Sequence, residues 1–110
     1  MEVGQDAAGS LVRVPVGTLL DVRVPENPTT GYRWAVVGED GEDEAVLPLA
    51  EDSYEGGGAV GSSGTRLLRF RASRPGRASL HLVHRRAWEG DVPDADRFDL
   101  DVLVEQPGSP

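Results

Sequence analysis

The sequence predicts an all-β, immunoglobulin-like sandwich of about seven strands, and three observations carry that prediction. Apolar residues recur at every second position in several short stretches. Gly, Pro, Asp and Ser punctuate those stretches at intervals of roughly ten residues. No stretch repeats its apolar positions with a helical period.

Taken in order, residues 1–9 are polar or small, with little to pack, and are expected to be flexible. Ser10 to Val14 is the first strand candidate, stopped by Pro15. Thr18 to Val24 alternates cleanly, with Leu20, Val22 and Val24 on one face and Leu19, Asp21 and Arg23 on the other. Tyr32 to Val37 is the next, and Trp34, with the largest apolar area in that run, is expected at the centre of the core.

Gly38 to Glu44 reads as a glycine-and-acid loop, and Ala45 to Tyr54 as irregular or as a strand broken at Pro48. Glu55 to Gly64 (EGGGAVGSSG) is nearly free of side chains and cannot be the interior of a regular element. Thr65 to Ala72 sets Leu68, Phe70 and Ala72 inward against Arg66, Arg69 and Arg71, with Leu67 breaking the alternation. Arg74-Pro75-Gly76-Arg77 is a turn. Ala78 to His84 points Leu80 and Leu82 inward, and Arg85 to Arg97 is a long polar loop holding Trp88. Phe98, Leu100, Val102 and Val104 form the inner face of the last strand. Residues 106–110 are expected to be a flexible tail, leaving 10–105 as a single domain.

Composition removes several classes of function. Eleven Arg and no Lys stand against nineteen acids, a formal charge of −8, which argues against a nucleic-acid partner because phosphate binding needs a basic face. No apolar run approaches the roughly 20 residues that span a bilayer, so no membrane insertion is expected. There is no Cys, hence no disulfide, thiolate zinc site or cysteine nucleophile. No basic stretch leads into an apolar one at the start, so no signal peptide is expected in the chain as given; the compartment stays open, cytoplasmic, or secreted or periplasmic if a leader was trimmed.

Nor do catalytic groups converge. His81 and His84 are three apart in a predicted strand, on opposite faces, and cannot share a metal or act as a pair. Ser62 and Ser63 lack the strand-to-helix setting of a nucleophile elbow. Asp91, Asp94, Asp96, Asp99 and Asp101 lack the sixth-position Gly and closing Glu of a calcium loop, and Asp99 and Asp101 read as a solvated strand face. The expectation is a monomer with no enzymatic activity, no metal and no cofactor.

Three loops remain. Asn27-Pro28-Thr29-Thr30-Gly31-Tyr32 is a stiff turn between strands: Pro28 fixes its own φ and extends Asn27, and Gly31 permits the positive φ that turns the chain back. The second is the glycine-rich stretch ending in Gly61-Ser62-Ser63-Gly64, and the third carries Arg86-Ala87-Trp88. In a sandwich such loops gather at two ends, so all three can share one edge. An exposed Trp beside an Arg is a common binding hot spot; the competing reading of Trp88 is a lid residue tucked beneath its own loop.

In these motifs the chain resembles the chagasin family of cysteine protease inhibitors. That family is marked by an N-P-T-T-G-[YF] loop, intact here from Asn27 to Tyr32, a G-x-G-G loop, approximated by Gly61 to Gly64, and an R-P-[WF] motif, approximated by Arg86 to Trp88. The resemblance implies an immunoglobulin-like fold whose three loops wedge into the active-site cleft of papain-like cysteine proteases and inhibit them reversibly and competitively. Thr29 and Thr30 would make the close contacts at the catalytic centre, the glycine loop would line the non-primed side, and Trp88 would pack on the primed side. Pro28 and the tight turn would hold the backbone off the line of attack.

Two positions depart from the pattern. Ser63 stands where Gly is usual and restricts the second loop. Ala87 stands where Pro is usual, leaving the third loop less pre-ordered at an expected cost of about 0.5–1 kcal/mol in affinity. The alternative function is an immunoglobulin-like binding module that uses the same edge on a partner other than a protease.

Overall fold

The computed structural model describes residues 1–26, 32–37, 45–56, 64–86 and 96–106. Eight strands are present among them: β1 (Glu2–Val3), β2 (Leu11–Pro15), β3 (Leu19–Glu26), β4 (Tyr32–Val36), β5 (Leu49–Glu55), β6 (Gly64–Arg71), β7 (Gly76–Arg86) and β8 (Asp96–Glu105). They form two four-stranded sheets, ordered β1-β3-β6-β5 and β2-β8-β7-β4. The β1–β3 and β2–β8 pairs are parallel, and the remaining pairs are antiparallel.

The two sheets face one another across one core because each strand's apolar phase points the same way. Leu20, Val22 and Val24 of β3, Leu68 and Phe70 of β6, Leu80 and Leu82 of β7, and Phe98, Leu100, Val102 and Val104 of β8 are each at most 3% exposed. Burying a side chain of this kind contributes about 1.5–3 kcal/mol, so these eleven dominate the stability. The all-β expectation and every inward assignment of an apolar residue in these strands hold.

Several details differ from the sequence reading. The first nine residues, expected to be flexible, contribute β1 and a 3-10 turn over Gln5–Ala7, and Val3 joins the core at 9% exposure. Their only large apolar side chains are Met1 and Val3, too few for periodicity to register, yet β1 lies along the edge of β3 and the Asp21 amide donates to the Met1 carbonyl at 2.8 Å. Pro48 does not break a strand; it precedes one, and Val46 and Leu47 on its other side are buried. β7 and β8 extend beyond their apolar stretches, so Arg85 and Arg86 end β7, and Asp96 and Arg97 open β8, where a continuous loop was expected.

Arg66 is a further correction. It shares the even phase of Leu68 and Phe70 and points inward, its side chain only 12% exposed. Leu67 and Leu68 are both buried, so the alternation has two apolar phases at this point, and sequence alone does not say which phase Arg66 follows.

Candidate functional site

The strand registers determine which ends of the sandwich meet. In the first sheet Glu26 at the end of β3 pairs with Gly64 at the start of β6, and Glu55 at the end of β5 pairs with Thr65. In the second, Tyr32 at the start of β4 pairs with Arg86 at the end of β7, and His84 pairs with Asp96 at the start of β8. The strand ends that border residues 27–31, 57–63 and 87–95 therefore belong to one end of each sheet.

Glu26 joins these two ends. Its side chain is fully buried, and it stands in the inner phase of β3, two residues beyond Val24. One oxygen, Oε1, accepts a hydrogen bond from the Trp34 backbone N–H of β4 at 2.8 Å. The other, Oε2, accepts from Nε and Nη2 of Arg66 in β6, at 2.9 and 2.6 Å. A carboxylate with no partner would pay heavily for burial; here both oxygens are occupied and the opposite charge is in contact. Arg66 also donates from Nη1 to Asp52 Oδ1 at 3.0 Å and lies over the Tyr54 ring, 5.6 Å from its centroid. Burial pulls the Arg66 pKa down, but the hydrogen bonds and charges of Glu26, and then of Asp52, outweigh it and hold the guanidinium above its ordinary value.

Trp34 is buried at 4% exposure, and its indole N–H donates to the Pro25 carbonyl at 2.8 Å, a second tie across the same connection. It belongs to the core, though at the loop end and not at the centre. His84, its cross-strand partner, stacks on it with centroids 4.9 Å apart and planes 12° apart. Tyr32 tilts against His84 with ring centroids 5.4 Å apart, and the Arg86 guanidinium lies 4.8 Å from the Tyr32 ring centroid. Cation–π contact of this kind contributes about 0.5–2 kcal/mol according to its exposure. Rings and cations thus run without interruption from the root of the first segment to the root of the third.

Gly64 sits where no other residue fits. A Cβ on it would strike the Tyr54 hydroxyl, come to 2.6 Å from Tyr54 Cζ, and overlap the Glu55 carbonyl oxygen. Close approach of β5, and not positive φ, is the reason for glycine here.

Of the residues singled out from sequence for protease contact, Tyr32, Gly64 and Arg86 are described, and all three lie at this end. Asn27, Pro28, Thr29, Thr30, Gly31, Gly61, Ser62, Ser63 and Trp88 lie outside the described residues, as do Ala87, Asp91 and Asp94. Glu26 and Arg66 were missed. The available signal was phase: Glu26 is an acid in register with Leu20, Val22 and Val24.

His81 and His84 do lie on opposite faces. His81 contacts Asp99 at 2.7 Å on the outer face, while His84 Nε2 is buried with no hydrogen-bond partner among the described residues. Among those residues no group of three His, Cys, Asp or Glu is placed to hold a metal ion, and no helix is long and apolar enough to cross a membrane.

Comparison with known proteins agrees with this architecture. Residues 13–102 match the family described as chagasin family peptidase inhibitor I42. The chain is 29% identical over 94 residues to chagasin of Trypanosoma cruzi, covering 82% of this chain and 84% of that protein. It is 27% identical over 105 residues to amoebiasin-1 of Entamoeba histolytica, covering 96% of this chain and all of that protein. The solution structure of amebosin superposes with a TM-score of 0.76 at 25% identity, covering 94% of this chain and 96% of that one. With the family matched across most of its length, the chain belongs to the chagasin family and is a cysteine protease inhibitor, not an enzyme.

Proposed function

We propose that this chain inhibits papain-like cysteine proteases reversibly and competitively, acting as a monomer that inserts three segments into the active-site cleft. Asn27 to Tyr32 forms the central contact, with Thr29 and Thr30 against the catalytic centre. Gly61 to Gly64 and Arg86 to Trp88 flank it. The observation that carries the reading is that the strand ends bordering all three segments meet at one end of the sandwich and are tied there by Glu26, Trp34, Arg66 and the His84 ring group. Rigid roots reduce the ordering entropy that binding must overcome.

A cofactor-free wedge needs no chemistry of its own. It blocks the cleft by shape and presents no bond on the trajectory the catalytic thiolate requires.

Residual activity of papain or cathepsin L against increasing concentrations of the protein tests this directly. Full inhibition is expected, and none at about 10 μM would overturn the reading for those enzymes. Thr30→Ala and Trp88→Ala, made separately, are each expected to raise the inhibition constant about tenfold or more, as truncation of a central anchor does. Unchanged constants for both would refute the wedge while leaving inhibition itself intact.

A further inference from the structure

We propose that Glu26 and Arg66 are positioning residues for inhibition, a clasp that holds the strand ends bordering residues 27–31 and 57–63 at the spacing the protease cleft requires. The proposal rests on the inhibitory reading above and assigns the clasp to two residues outside the recognition motifs.

The geometry is specific to that task. Glu26 directly precedes the first segment, and through the Trp34 N–H it holds the strand on that segment's far side, eight residues along the chain. Arg66 follows the second segment closely. Through Asp52 and the Tyr54 ring it also engages β5, the strand that leads into that segment. One carboxylate therefore meets both strands flanking the first segment and, through one guanidinium, both strands flanking the second. The pair spans 40 positions in the chain and connects the strand end that leads into residues 27–31 with the strand that follows residues 57–63.

Stability alone does not account for it. An apolar side chain in the inner phase of β3, after Leu20, Val22 and Val24, would pack with no charge to desolvate, and replacing a buried ion pair by apolar residues is often neutral or stabilising. What an apolar pair cannot do is fix direction: two N–H groups of one planar guanidinium converge on Glu26 Oε2 while the Trp34 N–H holds Oε1, so distance and orientation are set together. The Asp21–Arg69 pair links the same two strands further from those strand ends, Arg69 Nε donating to Asp21 Oδ1 at 2.7 Å. It is an internal control.

The experiment compares Glu26→Gln, Arg66→Met and their combination with Asp21→Asn. Inhibition of papain is measured well below each variant's melting temperature, so that folded protein is what is assayed. Glu26→Gln keeps an oxygen for the Trp34 N–H and loses the charge, and Arg66→Met keeps the stem and loses the fork. Each is expected to raise the inhibition constant about tenfold, since misplacement near 1 Å suffices for such losses. The double variant is expected to be no worse than the weaker single, because the two act as one unit. Asp21→Asn is expected to lower the melting temperature with the inhibition constant unchanged.

Folded Glu26→Gln and Arg66→Met proteins that inhibit as the parent does would overturn the proposal. Should Arg66→Met not fold, Arg66→Lys, which keeps charge without the fork, takes its place with the same expectation. Backbone amide shifts give a readout independent of any protease. Changing Arg66 is expected to perturb residues 27–34, and perturbation confined to β5 and β6 would overturn the clasp even if the parent inhibits no papain-like enzyme.

Discussion

Gly64 is a site whose requirement comes entirely from what lies across it. It was singled out as part of a contact loop, and the structure makes it the first residue of β6, passed at close range by Tyr54 and the Glu55 carbonyl. Tyr54 is a side chain and can swing aside; Glu55 oxygen is backbone, and moving it disturbs the β5–β6 pairing. Gly64→Ala is therefore expected to destabilise the fold by about 1–3 kcal/mol, read as a lower urea midpoint at constant slope. A midpoint equal to the parent's would show that β5 yields more easily than its pairing suggests. Glu26 and Arg66 teach a related lesson. Phase marks Glu26 as an anomaly, whereas the adjacent buried Leu67 and Leu68 hide the phase of Arg66.

At the scale of the strands, period-two alternation located β3, β4, β6, β7 and β8 to within about two residues at most ends, which is the precision such patterns allow. It failed for β1. A two-residue strand has no period, and its place depends on the free edge of β3 offered by a partner about 20 positions away. The consequence is measurable: Val3→Ala is expected to lower stability by about 1–2 kcal/mol, the loss of two buried methyl groups, although it lies in a stretch that composition marks as flexible. A melting temperature unchanged by Val3→Ala would mean that β1 contributes nothing to the cooperative unit. The extensions of β7 and β8 past their apolar residues have a different cause. Arg85, Arg86, Asp96 and Arg97 are strand residues by backbone pairing, which a polar side chain does not prevent.

For the molecule as a whole, the acid side of the pH scale is where charge couples to folding. The Asp21 carboxyl is held below its ordinary value of 3.8 chiefly by the hydrogen bond from Arg69, against some burial, and by the charges of Arg69, the N-terminal amine and Arg23. Asp101 is held below the same value by hydrogen bonds from the Ser79 hydroxyl and Arg77, again against burial. In both cases the unfolded chain takes up the proton first as pH falls, so the stabilisation is complete above the ordinary value and is lost through and below it. Melting temperatures from about pH 7 to about pH 2 should hold steady down to about pH 4 and then fall. Asp21→Asn should be less stable than the parent at neutral pH, with the gap closing below pH 3.8. A gap that persists undiminished to about pH 2 would remove Asp21 from the account.

The sequence by itself determined the class of fold, the inward apolar residues of the main strands and, through an intact Asn27 to Tyr32 motif, the family. All of these are written locally: alternation needs only neighbours two apart, and the motif is six consecutive residues. Only the tertiary structure decided the strand order, the use of β1, and the meeting of Glu26 with Arg66 and Trp34 at the strand ends that border residues 27–31 and 57–63. Those facts depend on pairings between residues tens of positions apart, and alternation identifies a strand's buried face without identifying the strand beside it.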